Sequence, residues 1–370
     1  MRVMTIFGTR PEAIKLAPVI LKAQRDESFD IRVCVTGQHD EMLKQVLDFF
    51  GITPDHDLEI MQPNQSLYDV TADIVKALEN VIVSEDPSLV LVQGDTTTAF
   101  VGTLCAFYKK VPIAHIEAGL RSHNKYSPFP EEINRVLVGQ IADYHFAPTV
   151  RAKENLLREG VKEDRVYVVG NTVIDALYLT LDKIKDQENG LSKYFDFLDQ
   201  DKRLILVTGH RRESFGEPLR NICMALRKIA EDNHVEIVYP VHLNPNVRKL
   251  VFEILNGPKN VHLIDPLDYP HLIWLMKRSY LIITDSGGIQ EEAPGLGKPV
   301  LVIRDVTERV EGIEAGTCKL VGTRREKIVD ETFRLLSDFR EYERMAKAVN
   351  PYGDGKSSDR ILSIIKGVLC

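Results

Sequence analysis

Three carboxylates follow short apolar runs in the first half of the chain. Asp95 comes shortly after the run Leu89–Val92, and Glu117 comes directly after Ile113–Ile116. Glu131 opens a later stretch with helical spacing. Because short apolar runs that alternate with helices are typical of a buried parallel sheet, the carboxyl ends of its strands should meet at one edge. We therefore expect the three carboxylates to converge there, where they could supply acid and base groups.

Each carboxylate also has a plainer structural explanation. Asp95, or a threonine that follows it, could cap the next helix, which is a common arrangement. Glu131 and Glu132 in a first helical turn would offset the helix dipole by about 0.3–1 kcal/mol. These explanations account for single residues and do not require several acids at the same edge.

The first predicted strand leads into two cations, in the segment Gly8-Thr-Arg-Pro-Glu-Ala-Ile-Lys15. Arg10 stands at the junction of strand and helix, where backbone N–H groups and the helix dipole favour an anion. Lys15 lies one turn further on, although ordinary surface cations would have the same spacing. The segment has one glycine and is not a G-x-G-x-x-G fingerprint. A reaction that oxidises the substrate with bound NAD is therefore disfavoured.

The second half of the chain offers groups that could hold a phosphate and a ribose. The run Leu281–Thr284 and the residues after it predict a strand, a tight turn and a helix. Gly287 and Gly288 would let a phosphate approach the backbone, and Ser286 would donate a hydrogen bond to it. Glu292, about one turn along, could accept bonds from ribose hydroxyls. The structural alternative is a plain turn followed by acids in the first helical turn.

Two histidines also follow predicted strands, where a core histidine is less expected than on an apolar face. His210 comes after a turn at Gly209 and precedes Arg211 and Arg212, and His242 follows a later strand. Surface cations with a capping histidine are the alternative. The sequence has no P-loop, no zinc-type spacing and no metal-type aspartate cluster, so we expect no bound metal.

Composition limits the class of protein. The 370 residues favour two domains, and 44% hydrophobic with 27% charged residues is ordinary globular composition. A net charge of −7 disfavours a nucleic-acid partner, and the absence of a run of about 18 apolar residues predicts no membrane span. The five cysteines include no Cys-x-x-Cys pair, and the N-terminal apolar run is too short for a signal peptide. We therefore expect a cytoplasmic protein.

The predicted elements form two α/β series with a polar segment, Leu181–Lys202, between them. The predicted strands are Val3–Phe7, Ile31–Val35, Leu89–Val92, Ile113–Ile116, Tyr144–Ala147, Leu204–Val207, Glu236–Tyr239, Val261–Ile264, Leu281–Thr284 and Val300–Ile303. The helices between them cover about Ala13–Gln24, Asp40–Phe49, Leu67–Val83, Thr97–Tyr108, Glu131–Ala142, Pro218–Ala230, Val247–Ile254, Pro270–Lys277 and Ile289–Leu296. We expect two Rossmann-like doubly wound domains, residues 1–170 and 171–355, facing a central cleft.

The motifs together resemble those of the non-hydrolysing UDP-N-acetylglucosamine 2-epimerases over essentially the whole chain. The matching segments are Phe7–Lys15, Gly94–Thr98, Glu117–Arg121, Pro130–Arg135, Thr208–Gly216, Tyr239–Val247, Thr284–Pro294 and Asn350–Gly355. The chain departs from the family at Val310, where proline usually follows Thr-Glu-Arg.

The resemblance implies a fold of the glycosyltransferase-B type, in which the C-terminal helix, residues 356–370, joins the first domain. It further implies a cytoplasmic, allosteric homodimer that interconverts UDP-N-acetylglucosamine and UDP-N-acetylmannosamine for cell-envelope polysaccharide biosynthesis. In this family UDP is eliminated, 2-acetamidoglucal forms, and UDP is added back, so no cofactor is needed. The alternatives are a hydrolysing relative that releases N-acetylmannosamine and UDP, a glycosyltransferase of the same fold, and a catalytically silent sugar-nucleotide sensor.

The resemblance also assigns roles to individual residues. The catalytic set is Asp95, Glu117, Glu131, His210, Lys15 and Arg135. The set that binds UDP and the sugar is Arg10, His242, Ser286, Gly287, Gly288, Glu292 and Arg309. A second, activating site for the substrate would use Gln38, His39, Gln65 and Arg211.

Overall fold

The computed structural model of the chain describes residues 1–37, 40–62, 64–209, 211 and 215–369, with the backbone alone at Asp40. The chain divides into two compact units. Unit 1 comprises Met1–Ala176 and Tyr352–Cys370, and unit 2 comprises Leu177–Pro351. The domain limits expected from the sequence stay a prediction.

Unit 1 contains a parallel sheet of seven strands within the described residues. These are β1 (Arg2–Phe7), β2 (Asp30–Val35), β3 (His56–Asp57), β4 (Leu89–Gln93), β5 (Ile113–Ile116), β6 (Tyr144–Ala147) and β7 (Val166–Val168). Their order is β3-β2-β1-β4-β5-β6-β7, the arrangement of a Rossmann-like sheet. Every residue of β4 and β5 is buried, as expected for central strands covered on both faces.

Unit 2 repeats this arrangement with six described strands. These are β8 (Arg203–Thr208), β9 (Val235–Pro240), β10 (Val261–Ile264), β11 (Leu281–Thr284), β12 (Val300–Val302) and β13 (Cys318–Leu320). Their order is β10-β9-β8-β11-β12-β13, again with parallel pairing. In each unit the strand order reverses beside the first strand, and ligands bind at such a point in open α/β sheets.

Helices connect the strands in both units. They are α1 (Arg10–Ala23), α2 (Asp40–Phe50), α3 (Leu67–Glu85), α4 (Thr97–Tyr108), α5 (Glu131–Ile141), α6 (Val150–Arg158), α7 (Thr172–Ile184), α8 (Glu188–Tyr194), α9 (Glu217–Ile229), α10 (Pro245–Leu255), α11 (Tyr269–Arg278), α12 (Gly287–Gly295), α13 (Val310–Glu314), α14 (Arg325–Ser337), α15 (Phe339–Ala346) and α16 (Ser357–Leu369). Short 3₁₀ turns lie at Glu163–Arg165 and Lys185–Gln187. None of the helices in the described ranges is both long and apolar enough to cross a membrane.

The structure confirms the predicted strands and adds three that the sequence did not predict. The additions are β3, β7 and β13, which have two or three residues each and lie at sheet edges. A short edge strand buries little apolar surface, so its sequence carries a weak signal. Helices α6, α7, α8, α13, α14 and α15 were also not predicted. The Leu181–Lys202 segment contains the end of α7 and the whole of α8.

The residue at position 310 fits the backbone that the family proline would occupy. Val310 is the first residue of α13, and Arg309 caps that helix. Proline is favoured at the first helical position because its φ suits the helix and its missing N–H would be unsatisfied there anyway. The change to valine therefore does not require a different local path beside Arg309.

Candidate active site

Glu117 is held in one position at the carboxyl end of β5. Its Oε1 accepts from Lys15 Nζ at 2.5 Å and from Asn171 Nδ2 at 3.1 Å, and its Oε2 accepts from Gln93 Nε2. Its backbone has a φ of 65°, which costs a non-glycine residue of order 1–3 kcal/mol. Such a conformation persists where the surroundings fix it, and functional sites are a common place for it.

The backbone conformation beside this carboxylate favours glycine. Gly94 has a φ of +72°, and a Cβ added there would lie 3.6 Å from Glu117 Oε2. The Gly94 carbonyl accepts from Nε2 of the buried His115 at 2.7 Å. Burial lowers the pKa of His115 to about 3, so the imidazole is a neutral donor that fixes the residue before Asp95.

Asp95 follows β4 and is tied to helix α5. Its Oδ2 accepts from Arg135 Nη2, and its backbone carbonyl accepts from Asn134 Nδ2 at 3.0 Å. The side chain of Asp95 stays 27% exposed, whereas that of Arg135 is 7% exposed. A carboxylate with one side in contact with a buried cation and one side open can act on a ligand.

The two acids at the start of α5 have different environments. Glu132 is buried and accepts from the backbone N–H groups of Ser122 and His123 at 2.9–3.0 Å, and it pairs with Arg135 at 3.2 Å. Glu131 is partly buried, and its Oε2 has no hydrogen-bond partner among the described residues. Glu132 therefore holds the loop in place, and Glu131 keeps acceptor capacity for a ligand.

Glu12 is a buried acid that the sequence did not single out as functional. Its Oε2 accepts from the N–H groups of Gly8 and Thr9 at 3.0 and 2.8 Å, and its Oε1 accepts from Thr96 Oγ1 at 2.6 Å. Burial raises the pKa of Glu12 to about 7, against the lowering effect of these bonds. The signal was present in Thr9-x-x-Glu12, the spacing of a helix capping box.

Five of the residues assigned to catalysis therefore lie in unit 1 at connected positions. Lys15 contacts Glu117, Arg135 contacts Asp95, and the turn from Gln93 to Thr96 links these pairs to each other and to Glu12. The sixth, His210, lies outside the described residues. Arg10, from the substrate-binding set, is the half-buried first residue of α1.

Unit 2 brings together the turn before α12 and the cation Arg309. Ser286 caps α12, and a Cβ added to Gly287 would lie 3.1 Å from Arg309 Cζ. A Cβ on Gly288 would meet Glu292 Oε2 at 3.8 Å. The guanidinium therefore lies close to the start of α12, and a cation beside a helix N-terminus favours a bound phosphate.

Arg309 belongs to a cluster of three guanidinium groups around Glu308. Glu308 contacts Arg309 at 2.7 Å, Arg304 at 2.8 Å and Arg211 at 3.7 Å. Burial alone would raise the pKa of Glu308, but the three cations outweigh it and lower the pKa to about 2. Arg309 also donates from Nε to Glu291 at 2.9 Å. Glu308 therefore stays ionised at neutral pH, and the guanidinium groups around it outnumber it.

The remaining assigned residues lie elsewhere in the two units. Glu292 is buried and accepts from the Tyr269 hydroxyl at 2.7 Å. His242 is exposed, and its Nδ1 accepts from the Asn244 N–H at 3.1 Å. Gln65 donates to the Ile60 carbonyl at 2.8 Å. Gln38 and His39 lie outside the described residues.

Within the described ranges no group of three or more His, Cys, Asp or Glu side chains could hold a metal ion.

The chain matches a family model and several known proteins that share its description. A model of the UDP-N-acetylglucosamine 2-epimerase family matches residues 21–366. The UDP-N-acetylglucosamine 2-epimerase of Escherichia coli (strain K12) is 54% identical over 370 residues, covering 99% of this chain and 98% of that protein. A putative enzyme of the same description from Clostridium acetobutylicum is 54% identical over 365 residues, covering 98% and 94%.

Solved structures of the same kind extend the likeness to the fold. The UDP-GlcNAc 2-epimerase of Neisseria meningitidis, bound to UDP-GlcNAc, has a TM-score of 0.94 at 49% identity and covers 99% of this chain and 100% of that one. The Methanocaldococcus jannaschii enzyme, in complex with UDP-GlcNAc and UDP, has a TM-score of 0.84 at 36% identity, covering 99% and 100%. These likenesses confirm the predicted fold class of two Rossmann-like units of the glycosyltransferase-B type. The chain belongs to the UDP-N-acetylglucosamine 2-epimerase family.

Proposed function

We propose that the protein interconverts UDP-N-acetylglucosamine and UDP-N-acetylmannosamine without hydrolysis, by elimination and re-addition of UDP. Family membership and the substrates bound by the relatives support the substrate class. The observation that carries the proposal is the group of carboxylates in unit 1. Glu117 is fixed by donors, Asp95 is open on one side, and Glu131 has an acceptor atom with no partner among the described residues.

The chemistry explains why such a group is needed. The hydrogen on sugar carbon 2 is not next to a carbonyl, so a carboxylate cannot readily remove it from the intact sugar. When the bond from carbon 1 to the UDP oxygen breaks, the ring becomes oxocarbenium-like and that hydrogen becomes acidic. Fixed carboxylates stabilise the cation, and one of them takes the proton. The product of elimination is 2-acetamidoglucal, and protonation of carbon 2 from the opposite face with return of UDP gives the epimer.

The leaving diphosphate needs positive charge and N–H donors. The turn Ser286-Gly287-Gly288 with Arg309 supplies these in unit 2, and Arg10 supplies a cation at the start of α1 in unit 1. Glu292 is assigned to bind the ribose, and His242 is assigned to the UDP-binding set. His210 is assigned to assist the departure of UDP. The reaction requires both sets of residues to act on the same substrate molecule.

Several further properties of the family are part of the proposal. They are a homodimer, activation by substrate at a second site that uses Gln65 and Arg211 among others, and a cytoplasmic role in supplying cell-envelope polysaccharide synthesis. The elimination route requires no redox cofactor, because carbon 2 loses a proton and not a hydride.

The decisive experiment follows the product in deuterated water. The protein is incubated with UDP-N-acetylglucosamine and no added NAD, and the sugars are followed by NMR. We expect UDP-N-acetylmannosamine with deuterium at carbon 2. Free N-acetylmannosamine with UDP would identify a hydrolysing enzyme instead, and epimer that keeps the original hydrogen would exclude the elimination route.

A further inference from the structure

The segment in which the chain leaves unit 1 contacts the segment in which it returns. Asn171 lies five residues before Ala176, the last residue of the first part of unit 1, and Tyr352 is the first residue of the second part. The Asn171 N–H donates to the Tyr352 carbonyl at 2.6 Å. Gly170 has a φ of +90°, and a Cβ there would lie 2.6 Å from Ser357 Oγ. The two segments therefore pack at backbone distance.

The side chain of Asn171 reaches the candidate active site from this place. Asn171 is 3% exposed, its Oδ1 accepts from the Val173 N–H at 3.0 Å, and its Nδ2 donates to Glu117 Oε1 at 3.1 Å. Since Oδ1 must face an N–H and Nδ2 must face a carboxylate, both contacts select the same orientation of the amide. The backbone N–H, Oδ1 and Nδ2 of Asn171 therefore each have a hydrogen-bond partner.

We propose that Asn171 is a positioning residue for the reaction: it fixes the Glu117 carboxylate through its amide and connects that carboxylate to the crossing segments through its backbone. The inference rests on the proposed function for its consequence in catalysis. Asn171 and Lys15 share Glu117 Oε1, while Gln93 holds Oε2. Without the amide, the carboxylate loses one of the bonds that set its rotation. Misplacement of a reacting group by about 1 Å can cost on the order of 10²-fold in rate.

Two substitutions separate this role from a general contribution to the fold. Asn171→Ser keeps an oxygen that can accept from the Val173 N–H but cannot reach Glu117. Asn171→Asp keeps the shape and the acceptor but places a second carboxylate beside Glu117. Lys15 is the charged partner of Glu117 among the contacts described. His115, two residues before Glu117, is neutral because burial lowers its pKa to about 3.

The pH dependence of the Asp variant gives a signature that a structural role would not produce. Two carboxylates in one site share a proton, so one of their pKa values rises. At pH 8 we expect repulsion to reduce kcat by about 100-fold or more. As the pH falls toward 6, the shared proton restores a donor to Glu117, and the loss relative to the parent protein should shrink at least 10-fold. Asn171→Ser should lower kcat about 10- to 100-fold at every pH, with KM changed less than threefold.

Asp175→Asn is the matched control in the same crossing region. Asp175 accepts from the N–H groups of Ser357 and Ser358 at 3.1 and 2.8 Å and caps α16. We expect this variant to melt at a lower temperature while its kcat and KM stay within twofold of the parent values. If Asp175→Asn loses rate in proportion to the Asn171 variants, the effect is structural and the inference is wrong.

Crystal structures of the parent protein and Asn171→Ser test the inference separately from the proposed function. We expect the Glu117 carboxylate to rotate or to lose its defined position in the variant. An unmoved Glu117, or an Asn171→Ser variant with the parent kcat, would overturn the inference. Failure of the proposed function has a different result, namely no deuterated epimer from the parent protein.

Discussion

The carboxyl group of Glu12 ionises near neutral pH because it is buried under the first turn of α1. Burial raises its pKa from 4.5 to about 7, although three donors contact it. Between these values the unfolded chain carries the charge and the folded protein does not. The unfolded state then binds fewer protons, so the free energy of unfolding falls as pH rises through this window.

Glu12→Gln should remove this pH dependence. The Gln oxygen can accept from Gly8 and Thr9, and the Thr96 hydroxyl can turn to accept from the amide. Between pH 4.5 and pH 7.5, we expect the free energy of unfolding of the variant to rise by up to about 3 kcal/mol relative to that of the parent, since each unit of pKa shift is worth about 1.36 kcal/mol. Urea unfolding across this range measures the difference. The control is Glu12→Ala, which leaves buried N–H groups without a partner and should lose stability at every pH. If the stability of the parent and of the Gln variant changed with pH in parallel, the prediction would be contradicted.

Glu131 and Glu132 should separate activity from stability although they are adjacent. Glu131→Gln keeps the shape of a side chain whose Oε2 has no protein partner in the described structure. The melting temperature of this variant should therefore change by less than a few degrees. Its kcat should fall about 10²–10⁴-fold, because an acid or base group is lost. Glu132→Gln weakens the contacts to Ser122, His123 and Arg135, so it should melt earlier. Melting curves and epimerisation rates on both variants check this. Equal rates for Glu131→Gln and the parent would remove Glu131 from the mechanism.

The two adjacent acids also mark the limit of what the sequence could predict about the site. Asp95, Glu117 and Glu131 could be placed at a sheet edge because each follows an apolar run or a turn. Spacing alone did not tell Glu131 from Glu132, and only the family resemblance selected Glu131, because the difference lies in which one the loop at Ser122 contacts. Gln93 and Asn171 could not be found either, since β4–β5 pairing brings Gln93 opposite Ile116 and a crossing segment brings Asn171 to Glu117.

At the scale of elements, the central strands were predictable and the edges were not. β4 and β5 are continuous apolar runs that are buried along their length, so their bounds agree with prediction to within one residue. β7 has one buried residue of three, which leaves no alternation to detect. Helix α14 was not predicted, although its apolar residues recur at helical spacing.

The contact between the turn after β5 and helix α6 gives a prediction about one glycine. Gly119 has a φ of +90°, and a Cβ there would lie 2.1 Å from the Ala152 carbonyl oxygen in α6. Gly119→Ala must therefore displace the helix, and we expect a loss of at least about 3 kcal/mol in unfolding free energy. Gly160→Ala is the control, because Gly160 has a similar φ of +88° with nothing within 4 Å of the added atom. It should lose only about 1–2 kcal/mol of strain, and equal losses for the two variants would refute the steric argument.

At the scale of the whole molecule, unit 1 is assembled from two parts of the chain that are distant in sequence. Helix α16 packs on α1 and contributes Ile361, Leu362 and Ile365 to the buried interior. Ion pairs join Lys22 to Asp359 at 2.7 Å and Asp26 to Lys366 at 2.5 Å. The half-exposed ion pairs contribute little, so the buried apolar side chains supply most of the stabilisation from this helix.

A chain that ends at residue 351 should therefore fail to form a stable unit 1. Three buried aliphatic side chains are worth roughly 5–9 kcal/mol at about 1.5–3 kcal/mol each, which is comparable to the whole stability of a typical domain, about 5–15 kcal/mol. Loss of α16 also exposes the apolar face of α1 and removes the Tyr352 carbonyl that Asn171 contacts.

A chain that ends at residue 366 keeps Ile361, Leu362 and Ile365 and should melt at a temperature close to that of the full chain. Limited proteolysis and thermal unfolding distinguish the two, since the shorter chain should be cut within unit 1 at 25 °C while the longer one resists. If residues 1–351 resist proteolysis as the full chain does, unit 1 is stable without its C-terminal helix, and the coupling of Glu117 to the returning segment loses its structural basis.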